Sequence, residues 1–165
     1  MRFLLPLLLL WLTGCAAPLV STRGDCRPAI ADGQAVQLTL RSADGKRQQL
    51  SLHNRWQADE LQLVAINPVG AVLFSGSLGD QTITSRASPL YRGVDPELLL
   101  RVYGWWLQRD NRAPCWQTGG LSVHSLADGE QQLTAGRLQL LWHPEHPERV
   151  GLPRQGLELV FRMAR

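Results

Sequence analysis

The chain has 165 residues, a formal net charge of +3, and a composition that is 44 % hydrophobic and 19 % charged. That length fits one domain with a sizeable core. Charges of both signs are interspersed, and no Lys/Arg cluster of the kind that grips nucleic acid is present.

The chain opens Met1-Arg2, continues FLLPLLLLWL, and reaches Leu12-Thr13-Gly14-Cys15. One positive charge, a short apolar run and small residues read as a secretory signal peptide, too short to remain as a membrane span. Leu12-Thr13-Gly14-Cys15 resembles the bacterial lipobox, which implies cleavage before Cys15 and acyl chains on that residue. Ala16 stands where an inner-membrane retention signal would have Asp. The expected location is therefore the periplasmic face of the outer membrane, with a lipid anchor rather than a transmembrane helix. The alternative is an ordinary signal peptide with a chance cysteine. Cys26 and Cys115 remain, and an even pair in an oxidising compartment predicts a disulfide. Such a bond would close a loop of about ninety residues and contribute on the order of 4 kcal/mol. Two free buried thiols are the alternative.

Residues 15–33 lack periodicity and read as a tether, which leaves 34–165 as the folded domain. From Gln34 the pattern alternates. Val36, Leu38 and Leu40 share a face, Ser42-Ala43-Asp44-Gly45 is a turn, and Leu50 and Leu52 share a face in the next strand. Leu61 to Ile66, Ala71 to Ser75 and Gln81 to Ser85 follow, each bounded by Gly, Asp or Pro. Short turns between such strands predict an antiparallel meander.

Val94-Asp95-Pro96-Glu97 then opens a helix, with Asp95 as N-cap, Pro96 at the first helical position and Glu97 near the positive end of the dipole. Its body, LLLRVYGWWLQ, is apolar on almost every side, so the helix must be covered on more than one side. After Pro114 strands return: Leu121 to Val123, Gln131 to Thr134, Leu138 to Trp142 and Leu157 to Met163. The stretch HPEHPERVGLPRQG between the last two reads as a proline-broken loop.

The predicted fold class is mainly β: a curled antiparallel sheet of eight to ten strands, an open half-barrel with a helical lid. A sheet that long must curl or be covered, and one helix cannot cover it flat. That arrangement predicts an apolar space between lid and sheet.

Residues 55–110 carry a resemblance. A Trp-bearing strand, an apolar strand, the turn Asn67-Pro68-Val69-Gly70, a second apolar strand and the Asp-initiated helix follow one another in the order of the LolB lipoproteins. Those proteins receive lipoproteins at the outer membrane. The sequence looks closer still to outer-membrane lipoproteins known only as a domain of unknown function, often encoded beside fatty-acid-synthase-like genes for aryl polyene pigments. The resemblance implies a half-barrel whose concave face holds acyl chains. It also implies a protruding turn that meets the membrane, here with Val69 at its tip, and a LolA-like periplasmic carrier as a partner. This sequence departs from LolB in having one lid helix, no helix before the first strand, and valine where LolB has leucine. Valine is smaller by about one methylene, or about 0.8 kcal/mol of burial.

On these grounds Leu98, Leu99, Val102, Trp105 and Trp106 of the helix, with Leu63, Phe74, Leu140 and Phe161 of the strands, are expected to bound a pocket. The expected ligand is a membrane lipid or a lipid-like acyl or polyene chain. No cofactor, metal or catalytic residue is expected. His143-Pro-Glu-His146 cannot align two ligands on a helix through its prolines, and Ser75-Gly76-Ser77 lacks the strand-to-helix setting of a nucleophile elbow. The alternative function is a non-enzymatic accessory lipoprotein that docks an envelope partner through its apolar helix.

Overall fold

Alternation along the chain resolves into ten strands and one helix in a computed structural model that describes residues 30–79, 82–110 and 122–164. The strands are β1 (Ala35–Ser42), β2 (Arg47–Gln57), β3 (Glu60–Ile66), β4 (Val72–Leu78) and β5 (Ile83–Ala87). The helix α1 (Pro96–Gln108) comes next, then β6 (Ser122–Ser125), β7 (Gln131–Ala135), β8 (Leu138–Trp142), β9 (Arg149–Leu152) and β10 (Leu157–Met163). All ten form a single sheet in the order β5-β4-β3-β2-β1-β10-β9-β8-β7-β6, with every pairing antiparallel. The sheet is not closed: β5 and β6 are its edges, and α1 lies between them in sequence.

One face carries the core. Val36, Leu38 and Leu40 of β1 lie opposite Leu52, Leu50 and Gln48 of β2, and opposite Met163, Phe161 and Leu159 of β10. The same face continues through Leu61, Leu63 and Ala65 of β3, Phe74 and Leu78 of β4, Val150 and Leu152 of β9, and Leu140 and Trp142 of β8. All of these except Gln48 and Met163 are buried. β9 was hidden in what reads as a proline-broken loop. Only four residues long, it is held by ladders from β10 and β8 and sends Val150 and Leu152 inward.

Curling follows from what the helix touches. Its Leu100 meets Gly76 of β4, its Tyr103 bonds Asn54 of β2, its Trp106 stacks on Phe161 of β10, and its Trp105 meets Trp142 of β8. On a flat sheet β4 and β8 would stand roughly 29 Å apart, at about 4.8 Å per strand. A helix about 10–12 Å across can reach both only if the sheet wraps around it. The sheet therefore curls, and the expected half-barrel architecture is what forms.

The helix begins as its residues dictate. The Asp95 carboxylate accepts from the Glu97 N–H at 3.1 Å, Pro96 occupies the first turn, and Arg101 donates to Glu97 at 2.6 Å. Arg101 is its one exposed residue, because every other position packs against sheet or loop to some degree. Before β1, the last residues of the expected tether are already seated on the domain. Ile30 is buried, its carbonyl accepts from Trp56 Nε1 at 3.0 Å, and the Asp32 carboxylate accepts from the Trp56 N–H at 2.7 Å.

Candidate ligand-binding cavity

The interior has two zones. Toward the C-terminal half of the helix it is filled by aromatic side chains. The Trp106 ring stacks on Phe161 at 4.7 Å and on Tyr103 at 6.1 Å, while Trp105 presents its edge to Trp142 at 5.7 Å. Trp106 Nε1 donates to the Pro147 carbonyl at 2.8 Å, and the Arg109 guanidinium lies 4.6 Å from the Trp106 ring centre. Tyr103 donates its hydroxyl to Asn54 Oδ1 at 3.0 Å, and Asn54 Nδ2 donates to the Gln34 carbonyl at 2.9 Å. Burial pushes the Tyr103 phenol up, only partly opposed by its bond to Asn54.

Around the helix N-terminus the packing opens into a cavity of about 700 Å³. Leu40 of β1, Leu98 of the helix and Leu157 of β10 supply its apolar wall. Lys46 and Arg47 from the β1–β2 hairpin and Arg92 from the segment before the helix supply three cations, with Asp95 the one carboxylate among the lining residues. Lys46 pairs with Asp44 at 2.7 Å. That hydrogen bond, helped by Ser42, lowers the Asp44 carboxyl to about 2 and raises the Lys46 ammonium. Arg92 is aimed by its own loop, where it donates to the carbonyls of Pro89 at 2.6 Å and Tyr91 at 3.1 Å. Tyr91, whose hydroxyl donates to the Val94 carbonyl at 2.7 Å, is pushed up to about 12 by burial and by the nearby Asp95 charge.

The residues expected to bound a pocket fall into both zones. Leu98 lines the cavity. Trp106 and Phe161 are in direct ring contact, and Trp105 is half-buried against Trp142. Leu63, Phe74, Leu99, Val102 and Leu140 are buried in the shared core. Leu40, Leu157, Lys46, Arg47 and Arg92 were not singled out from sequence. Their alternation and turn signals placed each locally, but only the curl of the sheet brings them around one space. Cys15, Cys26 and Cys115 lie outside the described residues, so the lipidation and disulfide expectations rest on sequence.

Val69 stands 87 % exposed at the tip of the β3–β4 turn. Asn67 builds that turn, its side-chain oxygen accepting from the N–H groups of Val69 at 3.2 Å and Ala71 at 2.8 Å, with Gly70 at φ 86°. His143 and His146 sit with ring centres 6.0 Å apart, and His143 Nε2 lies 3.2 Å from the Asp128 carbonyl. Among the described residues no three His, Cys, Asp or Glu side chains gather as a metal site. No described helix is long and apolar enough to cross a membrane.

Residues 34–107 match the model of a family described as a protein of unknown function (DUF3261). The matched segment runs from the start of β1 to the last turn of the helix, so it supplies every wall of the cavity except Gln155 and Leu157. No curated protein matches the chain.

Proposed function

We propose that this chain is a LolB-like lipoprotein on the periplasmic face of the outer membrane, a binding module rather than an enzyme. It holds an acyl or lipid-like apolar chain in its half-barrel and helps transfer or insert it into the membrane. The carrying observation is the cavity at the helix N-terminus, where Leu40, Leu98 and Leu157 meet three cations. Its volume lies within the roughly 300–1,000 Å³ common to small-molecule sites, and apolar walls with a few placed polar groups are the usual recipe for such sites. An apolar tail against the leucines and an anionic head at Lys46, Arg47 and Arg92 would use both parts. Val69, at its exposed tip, is the proposed membrane-facing contact, and a LolA-like carrier is the proposed donor or acceptor.

A long-chain fluorescent fatty acid tests this reading. Wild-type protein should bind it, and Leu98→Glu should weaken binding at least tenfold, because a carboxylate in the apolar wall is disfavoured by more than about 1.4 kcal/mol. Leu98 is only partly buried, so the variant should remain folded. Val69→Glu should bind normally and fail only in transfer to liposomes. A second reading, the packed accessory, is favoured by the aromatic filling around Trp106. Absence of fatty-acid binding by folded wild-type protein would select it.

A further inference from the structure

The strand directions sort every described loop to one of two ends. Turns 43–46, 67–71, 136–137 and 153–156 and the segment 88–95 lie at the end where the helix begins. Segments 31–34, 58–59, 109–110, 126–130 and 143–148 lie at the opposite end. The charges on the two ends differ in sign. At the helix-start end stand Lys46, Arg92, Arg137 and Arg154 against two carboxylates, Asp44 and Asp95. Asp44 is held by Lys46, and Asp95 accepts from the helix N–H of Glu97. At the other end seven Asp or Glu residues stand against Arg109. Arg154 reaches across to the Arg137 carbonyl at 3.2 Å, so two of the four cations are neighbours.

The same end carries the most exposed large apolar residues of the described chain. Val69 is 87 % exposed, Leu90 73 % and Val72 50 %. They are grouped, because the Ser88 N–H donates to the Leu73 carbonyl at 2.8 Å and the Leu90 N–H to Ser88 Oγ at 3.3 Å. That places Leu90 beside the start of β4 and its turn. At the opposite end the exposed large apolar residues are Met163 at 43 % and Leu126 at 38 %, each less exposed than any of these three.

We infer that the helix-start end docks flat on an anionic bilayer surface, with Val69, Val72 and Leu90 entering the interface and Lys46, Arg92, Arg137 and Arg154 facing lipid headgroups. Apolar tips ringed by cations match a surface whose headgroups are negative and whose interior is hydrocarbon. The acidic end is repelled by that same surface, so the charge separation selects one orientation rather than mere adhesion. The cavity is lined by residues of the docked end, so a chain held there lies next to the bilayer it would enter. This inference deepens the lipid-binding reading: it shares Val69 with that reading as a membrane contact and rests on it for the release step.

The test uses the full chain on vesicles of phosphatidylcholine alone or with one-third phosphatidylglycerol. A solvent-sensitive fluorescent non-natural residue replaces Leu90 in one preparation and Glu145 in another. On anionic vesicles the probe at position 90 should shift to the blue and the probe at position 145 should not. On neutral vesicles, or in high salt, the shift at position 90 should largely vanish. Arg137→Gln and Arg154→Gln should each lower the docked-to-undocked ratio about fivefold, the factor carried by one surface cation. Neither residue lines the cavity, so both variants should bind fluorescent fatty acid as wild type does. A probe at position 90 that stays in water on anionic vesicles overturns the inference, as does an equal shift at position 145. Loss of fatty-acid binding with the position-90 shift intact would overturn the cavity reading alone.

Discussion

A polar pair sits in the middle of the apolar layer. Asn54 occupies an inward position between Leu52 and Trp56, where alternation calls for a hydrophobic residue, and Tyr103 meets it from the helix. Buried polar groups are tolerated when each is matched, and leaving one unmatched costs about 1–3 kcal/mol. Tyr103→Phe should therefore destabilise the domain by about 1–2 kcal/mol by stranding Asn54 Oδ1. Asn54→Leu should do the same from the other side, although the Gln34 carbonyl keeps its bond from the Asn54 N–H at 3.3 Å. The double variant should cost clearly less than the sum, and denaturant unfolding of the four proteins measures the difference. Strict additivity would show that the two side chains do not act as a pair. The phenols also set an alkaline limit. Tyr103 and Tyr91 are both raised above the ordinary value of 10, Tyr91 to about 12. Below pH 10 folded and unfolded chains hold these protons alike. Above it the unfolded chain loses them first, so stability falls from pH 10 upward, through about 12 for Tyr91. The Tyr103→Phe protein should show a shallower alkaline decline in the same titration.

At the scale of elements, the helix and sheet approach each other through a glycine. A Cβ built on Gly76 would stand 2.4 Å from Leu100 Cδ1 and 2.5 Å from the backbone oxygen of Thr84 on β5. The leucine could turn aside, but the strand oxygen could not without shifting the edge of the sheet. Gly76→Ala should cost on the order of 1–3 kcal/mol, as overpacked sites do. Thermal unfolding checks it, and a melting temperature equal to wild type would mean that β5 yields freely. The sequence makes such elements visible to different degrees. Asp95-Pro96-Glu97 marks the helix start because cap, proline and acid all act within one turn. The Asp44-Gly45 and Asp128-Gly129 turns announce themselves, with both glycines at positive φ. The β2–β3 turn does not, since Ala58 adopts φ 51° where neither Asn nor Gly stands. β9 was illegible because prolines flank its four residues and its partners lie elsewhere in the chain. The cavity was legible only through Leu98. Its cations come from hairpin and loop, and nothing local in Lys46 or Arg92 says that they converge.

For the whole molecule, the decisive pairing is between the two strands farthest apart in sequence. β1 and β10 meet over seven residue pairs, Val36 opposite Met163 through Ser42 opposite Leu157, and the Ala164 N–H donates to the Ala35 carbonyl at 3.0 Å. They join the meander β5 to β1 to the meander β9 to β6. A chain ending at Gly156 loses Leu159 and Phe161 from the core and splits the sheet in two. It should lack protease resistance and a cooperative thermal transition, and a sharp transition would show that the rest of the domain folds without β10. At this scale belongs the anchor as well. Cys15→Ala should abolish acyl labelling and release the protein from the membrane fraction, whereas continued labelling would remove the lipobox from the account. The first-to-last pairing also sets a clock. β1 waits for β10, so about 120 residues must be made before its second ladder can form. Contacts of such sequence separation form slowly. A sheet joined by so distant a pairing keeps its two meanders apart until β10 is made, so the molecule acquires its shape in a late step.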